Sequence, residues 1–220
     1  MAADVKHNLS FARSAVNFLK PKMKLVANWD QNSEQSAEGI LRISGDDQKA
    51  RAAWDNADKC VYGQLRQSDD WKMIMDRDFR ADRGLSGAGV HELDDIRKLS
   101  NLVAKFSCGN CAELAASAFI YLHKLNVRPL DYMVLDGDDH AFVVIGREVD
   151  TSDWSKWGKS AVVCDPWAFG YIGTDDSDPK HVRTGRFGDS FTAYTADLLG
   201  TKMKTMFPDF TGTSSAFSET

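Results

Sequence analysis

The stretch AELAASAFIYLHKL, residues 112–125, limits the architecture more than any other part of this 220-residue chain. It is apolar nearly all round, and a helix of that kind has to be enclosed by other elements rather than laid on a surface. A chain of this size has the material to enclose it, because a domain of such length buries roughly 70% of the surface that its unfolded form exposes. Hydrophobic side chains make up 43% and charged ones 27% of the sequence, values of one ordinary globular domain that needs no metal or disulfide staple.

Helical spacing surrounds that segment. Residues 4–19 carry Val5, Leu9, Ala12, Val16 and Leu19 at intervals of three and four, stopped by Pro21. The polar run QNSEQSAEG (31–39) has loop composition, so residues 1–40 are expected to be an N-terminal helix and a flexible arm. Helical spacing returns over 48–67. Asp69 or Asp70 is expected to cap a further helix through Trp71, Ile74, Met75 and Phe79. RGLSGAG (83–89) lacks the lysine-bearing pattern of a phosphate loop and reads as a connector before a helix over 91–106. After the buried helix come LDYMVLD (130–136), HAFVVIGRE (140–148) and SAVVCDPW (160–167), β-rich and bounded by turn residues. A last helix is expected at 191–206, before a disordered tail at 209–220. The order predicts an α+β fold, an antiparallel sheet against a central helix, in one domain over 41–208 with a helical part (41–106) and a core (107–208).

Charge and hydropathy remove several function classes. With 27 basic and 32 acidic residues the net charge is −5, which gives no polycationic footprint for a nucleic acid. No apolar run reaches the ~18 to 20 residues that span a bilayer, and the first residues lack a basic end followed by an apolar stretch. A soluble, cytosolic protein without a cofactor is expected. Four cysteines are too few for a disulfide scaffold and fit a reducing compartment; Cys60 stands alone in sequence, and Cys108 reads as structural or redox-sensitive.

Three residues form a candidate reactive set. Cys111 falls at the first turn of the buried helix, after the turn residues Gly109 and Asn110, where unpaired N–H groups and the helix dipole favour a thiolate and can hold a developing oxyanion. His140 opens a strand segment 29 positions later, and Asp165 ends the next one, 25 positions further on, with Pro166 fixing the chain behind it. Neighbouring strands would bring the two side by side, so that Asp165 holds one imidazole nitrogen while the other faces the thiol.

GNCAELA, DHAFVVIG and VVCDPW together resemble the papain-like and transglutaminase-like thiol enzymes, and more narrowly the papain-fold domains of bacterial toxins and secreted effectors. The resemblance covers residues 107–170. It implies Cys111 as nucleophile, His140 as general base and Asp165 as orienting acid, in a cysteine protease or protein-glutamine deamidase. It also implies a protein substrate, such as one of a host or target cell, reached by a route other than the general secretory one. The sequence departs from the papain pattern in having no glutamine a few residues before the nucleophile; Gln67 is distant, and Asn110, Asn101 or Ser107 are the candidates for a second oxyanion donor. Trp167 is the candidate wall of the cleft.

Other readings of the same residues stand beside this one. A transglutaminase-type acyl transferase would use the same three residues with an amine as acceptor. Cys108, Cys111, His140 and Cys164 would make a Cys3His zinc set in a non-enzymatic interaction module, although pleat alternation should turn Cys164 away from Asp165. The acidic run 136–139 lacks the spacing of a calcium loop and reads as a solvated turn. Trp154 and Trp157 are either packing anchors or part of a surface for a protein partner.

Overall fold

The computed structural model describes residues 5–19, 47–85, 89–90, 92–135, 140–149, 156–167, 181–183, 192–195 and 213–219. Helices α1 (Val5–Leu19), α2 (Asp47–Cys60), α3 (Asp69–Met75), α4 (Arg77–Ala81), α5 (Leu93–Phe106) and α6 (Cys111–Lys124) precede the strands, and a π-helical turn, Val61–Leu65, continues α2. The strands are β1 (Leu130–Leu135), β2 (Ala141–Ile145), β3 (Val162–Cys164), β4 (His181–Arg183), β5 (Thr192–Thr195) and β6 (Thr213–Glu219). They form one sheet in the order β4-β5-β3-β2-β1-β6, antiparallel at each pairing. This is a mixed helix and antiparallel-sheet architecture. Among the described residues no helix is long and apolar enough to cross a membrane.

The Ala-rich segment is enclosed as its composition requires. From Cys111 to Ile120 every residue of α6 is buried, and α1, α5, β1 and β2 pack around it. Ala115, Ala116 and Ala118 are wholly buried, which lets neighbouring backbones approach closely. One core cluster runs from Ala12 of α1 through Leu65, Leu99 and Phe119 to Val143 and Cys164, so the first and second halves of the chain share a core.

The N-terminal helix is therefore a part of that core and not an arm. Its stripe Ala12, Ala15, Val16 and Leu19 is buried, and Asn8 Nδ2 donates to the Ser160 carbonyl at 2.8 Å. Gly146, at φ +77°, leaves room for Asn8, whose Nδ2 would lie 2.2 Å from a Cβ there. The expected flexible stretch after it, residues 20–40, lies outside the described residues.

Several expectations need correction. Ser68, not Asp69 or Asp70, caps α3, accepting from Trp71 N; the two aspartates occupy its first turn, where the helix dipole favours them. The helix ends at Asp76, whose extended backbone lets its side chain accept from Phe79 N at 3.0 Å and begin α4. The helix expected at 191–206 is contradicted where it is described: Thr192–Thr195 is strand β5, paired with β3 in the register Val163↔Tyr194. Threonine and tyrosine suit a pleated surface, and β3 offers the free edge that they fill. The tail expected at 209–220 contains β6, which pairs with β1. Its Ser/Thr content hides the pattern, but Phe217 packs edge-on against Phe119, and Ser218 Oγ donates to Asp131 Oδ1 at 2.5 Å. Asp131 is also held by Arg147, through Nε at 3.0 Å and Nη2 at 2.7 Å, so a buried, paired ion cluster fixes β6 to its neighbours. Trp157 is fully buried, which makes it a packing anchor; Trp154 and the acidic run 136–139 lie outside the described residues.

Cys60 and Cys108 form a disulfide, with Cα atoms 6.2 Å apart. Cys60 is thus not solitary, and Cys111 and Cys164 are the cysteines outside the disulfide. Two of the four cysteines are spent on a cross-link, so their number no longer argues for a reducing compartment.

Candidate active site

The start of α6 is built by its own sequence. Ser107, in the left-handed conformation, ends α5, and Cys108, Gly109 and Asn110 turn the chain into α6. Gly109 suits this close turn, since a Cβ would lie 3.0 Å from Glu113 Cβ and 3.3 Å from Val103 Cγ2 and those side chains would have to give way. Asn110 is the N-cap and Glu113 the third helical residue of a reciprocal capping box, with Asn110 N donating to Glu113 Oε2 at 2.8 Å. Cys111 is the first helical residue, where the backbone N–H groups have no partner within the helix.

His140 and Asp165 come from adjacent strands. β2 and β3 are antiparallel with Val143 opposite Cys164, which places the residue before β2 and the residue after β3 at the same end of the sheet. The pleat turns Val143 and Cys164 toward α1 and α6; Asp165 and His140 belong with Phe142 on the alternate parity. His140 Nε2 pairs with Asp165 Oδ2 at 2.7 Å, and both side chains are fully shielded from solvent. Phe142 stacks on the imidazole at 5.9 Å between ring centroids, and Trp167 covers it at 5.2 Å. Trp167 also packs on Val103 and Leu114 and donates its backbone N–H to Asp165 Oδ1 at 3.2 Å.

The electrostatics follow from this enclosure. Burial disfavours an imidazolium, but the Asp165 carboxylate, the hydrogen bond to it and the neighbouring Cys111 thiol more than offset that, so the pKa of His140 is pushed up to about 10. Cys111 is among the groups that raise the His140 pKa, which places its thiol beside the imidazole. With Nε2 committed to Asp165, Nδ1 is the nitrogen left for the thiol. The three residues named from sequence are thus brought together.

The others are placed elsewhere. Asn110 is oriented by the cap and by donation from its Nδ2 to Tyr62 Oη at 3.1 Å, so its amide belongs to the helix start. Asn101 lies on α5 beside an apolar groove of about 400 Å³ lined by Phe18, Ser117, Tyr121 and Leu125, along the middle and far end of α6. It therefore has no part at the helix start, because α5 presents that position toward the groove. Gln67 donates to the Tyr62 carbonyl at 3.0 Å. The four residues of the zinc reading are not gathered: Cys108 is bonded to Cys60, and the Cys164 thiol reaches the Ala12 carbonyl at 3.7 Å on the α1 side. Burial, and after it the charge of Asp165, push the Cys164 thiol up, which keeps it protonated. Among the described residues no group of histidines, cysteines and carboxylates could hold a metal ion.

A second layer was not anticipated from sequence. Glu113 is fully buried, and its Oε1 accepts from Trp71 Nε1 at 2.6 Å and lies 3.5 Å from Arg66 Nε. The Asn110-x-x-Glu113 spacing was the available sign of the capping box. Nothing in the spacing marks Tyr62, Arg66 or Trp71, more than 40 positions away, as its neighbours.

No family model, no curated protein and no solved structure matches this chain.

Proposed function

We propose that this protein is a thiol-dependent amide hydrolase of papain-like type acting on a protein substrate, as a cysteine protease or protein-glutamine deamidase. The observation that carries this reading is the row Cys111, His140 and Asp165, one from a helix start and two from the same end of adjacent strands. The His140–Asp165 bond is 2.7 Å long and fully buried. A thiol, a base and an orienting carboxylate in that arrangement is the working form of covalent acyl transfer.

In the proposed reaction the pKa of about 10 keeps the proton of the Cys111–His140 pair on the ring, and Cys111 Sγ bonds to the amide carbon with His140 standing as an imidazolium. The raised basicity given by Asp165 lets the ring hold that proton until the leaving nitrogen needs it. The backbone N–H groups at the start of α6 face the developing oxyanion. Collapse of the tetrahedral species breaks the carbon–nitrogen bond, and the nitrogen leaves with the proton from His140. Water then attacks the thioester and gives a proton to His140, which releases the acid and restores the Cys111–His140 pair. Asp165 stays ionised throughout and keeps the ring in its orientation. The implied role is that of a bacterial effector or toxin.

Intact-mass analysis of a candidate protein substrate tests the reading. Proteolysis gives fragments, deamidation adds about one dalton, and transfer to an amine adds the mass of that amine. Cys111→Ala must abolish whichever change is seen. A change that persists in that variant overturns the assignment of the nucleophile.

A further inference from the structure

The polar cluster at the start of α6 contains a cation whose bonding stops halfway. The guanidinium carbon of Arg66 lies 4.8 Å from the ring centroid of Tyr62 and 5.1 Å from that of Trp71. Its Nε is 3.5 Å from Glu113 Oε1, an ion-pair contact rather than a hydrogen bond. That carboxylate is already shared by Trp71 Nε1 and the backbone N–H of Asn110. Among the described residues no hydrogen bond reaches the terminal Nη1 and Nη2 groups of Arg66, although the side chain keeps only 19% of its exposure. A guanidinium flanked by aromatic rings and tethered at Nε has a fixed orientation, and its remaining edge matches the two oxygens of a carboxylate.

We infer that Arg66 is a specificity residue that binds a carboxylate on the acyl-donor substrate, beside the helix start that presents Cys111. Two links connect it to the nucleophile: Arg66 contacts Glu113, and Glu113 holds Asn110 N, the residue before Cys111. The partial positive charge of the α6 start adds to the attraction for an anion. Because Glu113 offsets part of the charge of Arg66, a monoanion suits the site better than a dianionic phosphate. The carboxylate belongs to an aspartate or glutamate side chain near the reacting amide, or to a free chain terminus. This inference rests on the reading of Cys111 as the nucleophile.

Alkylation of Cys111 in the full chain separates the two claims. The reagents are iodoacetyl-glutamate N-methylamide, which carries a side-chain carboxylate, iodoacetyl-glycylglycine, which carries a terminal one, and the neutral amide twin of each. Rates are read on the Cys111 peptide by mass spectrometry, and each carboxylate reagent is compared with its own twin. The wild type is expected to react about tenfold faster with at least one of the carboxylate reagents, as a charge-assisted hydrogen bond allows. Preference for the glutamate reagent identifies an internal acidic residue, and preference for the glycylglycine reagent a chain terminus. In Arg66→Gln the ratio is expected to fall to one. Should that variant not fold, Arg66→Lys carries the same test, since it keeps a charge without the fork and must lower the ratio. Equal rates in the wild type, or a preference that survives in both variants, overturn the role of Arg66. If the neutral reagents label Cys164 as fast as Cys111, the nucleophile reading fails and this inference falls with it.

Discussion

Removing the disulfide gives a perturbation whose size follows from the chain itself. Cys60 and Cys108 are 48 positions apart. Opening a loop of that length restores entropy to the unfolded chain worth about 4 kcal/mol. The bond joins the end of α2 to the turn that leads into α6, and three polar contacts tie residues 62–71 to the start of α6 close by: Tyr62 to Asn110, Trp71 to Glu113 and Arg66 to Glu113. Those contacts remain in a Cys60→Ala, Cys108→Ala double variant, so the loss is expected to stay near the entropic value. Urea unfolding followed by fluorescence measures it. With a slope of about 2–3 kcal/mol/M, the midpoint should fall by roughly 1.3–2 M, and the slope should rise because the unfolded chain is no longer cross-linked. Millimolar dithiothreitol should shift the wild type toward the double variant and leave the double variant unchanged. A midpoint that moves by less than about 0.5 M, together with free thiols at both positions in a non-reducing peptide map, would refute the reasoning.

Other outcomes follow from the site. The folded-state pKa of His140 is raised to about 10, so the stability it contributes is fully present below about pH 6.5 and is lost as pH rises toward 10. Thermal melts across that window should show the loss in the wild type and a flatter profile in Asp165→Asn; parallel profiles would contradict the assignment. Glu113→Ala leaves Trp71 Nε1, Asn110 N and Arg66 without their shared acceptor. It should cost about 3 kcal/mol by denaturant titration, whereas a solvent-exposed cap would cost about 1. Cys164, buried and protonated against α1, should resist iodoacetamide in the native protein, and Cys164→Ala should leave turnover unchanged. Rapid native labelling at Cys164 would show that the sheet does not seal that face.

The parts legible in sequence are those specified by nearby residues. The apolar run after Gly-Asn-Cys dictates a buried helix with Cys111 at its first position, and the turn-bounded β segments put His140 and Asp165 at strand ends. Short-range spacing was enough because each element carries its own boundary signals. What stayed hidden depends on partners distant in the chain. The pairing of Cys60 with Cys108 leaves no local trace. β5 and β6 are polar or mixed segments whose strand form comes from β3 and β1, which supply the ladder, and from the Asp131–Arg147 cluster that binds Ser218. The break at Asp76 shows a competent capping residue prevailing over continuous helical spacing. Arg66 and Trp71 looked like parts of ordinary helix faces, and only their contacts with Glu113 give them a place at the α6 start.

The central claim is that His140, oriented by Asp165, activates Cys111. Its most direct measurement is the rate of iodoacetamide modification at Cys111 in the native wild type, His140→Ala and Asp165→Asn proteins, with Cys164 as the internal comparison. Cys111 is expected to react first in the wild type, to lose that advantage in His140→Ala and to retain part of it in Asp165→Asn. Equal Cys111 rates in all three folded proteins would contradict the account.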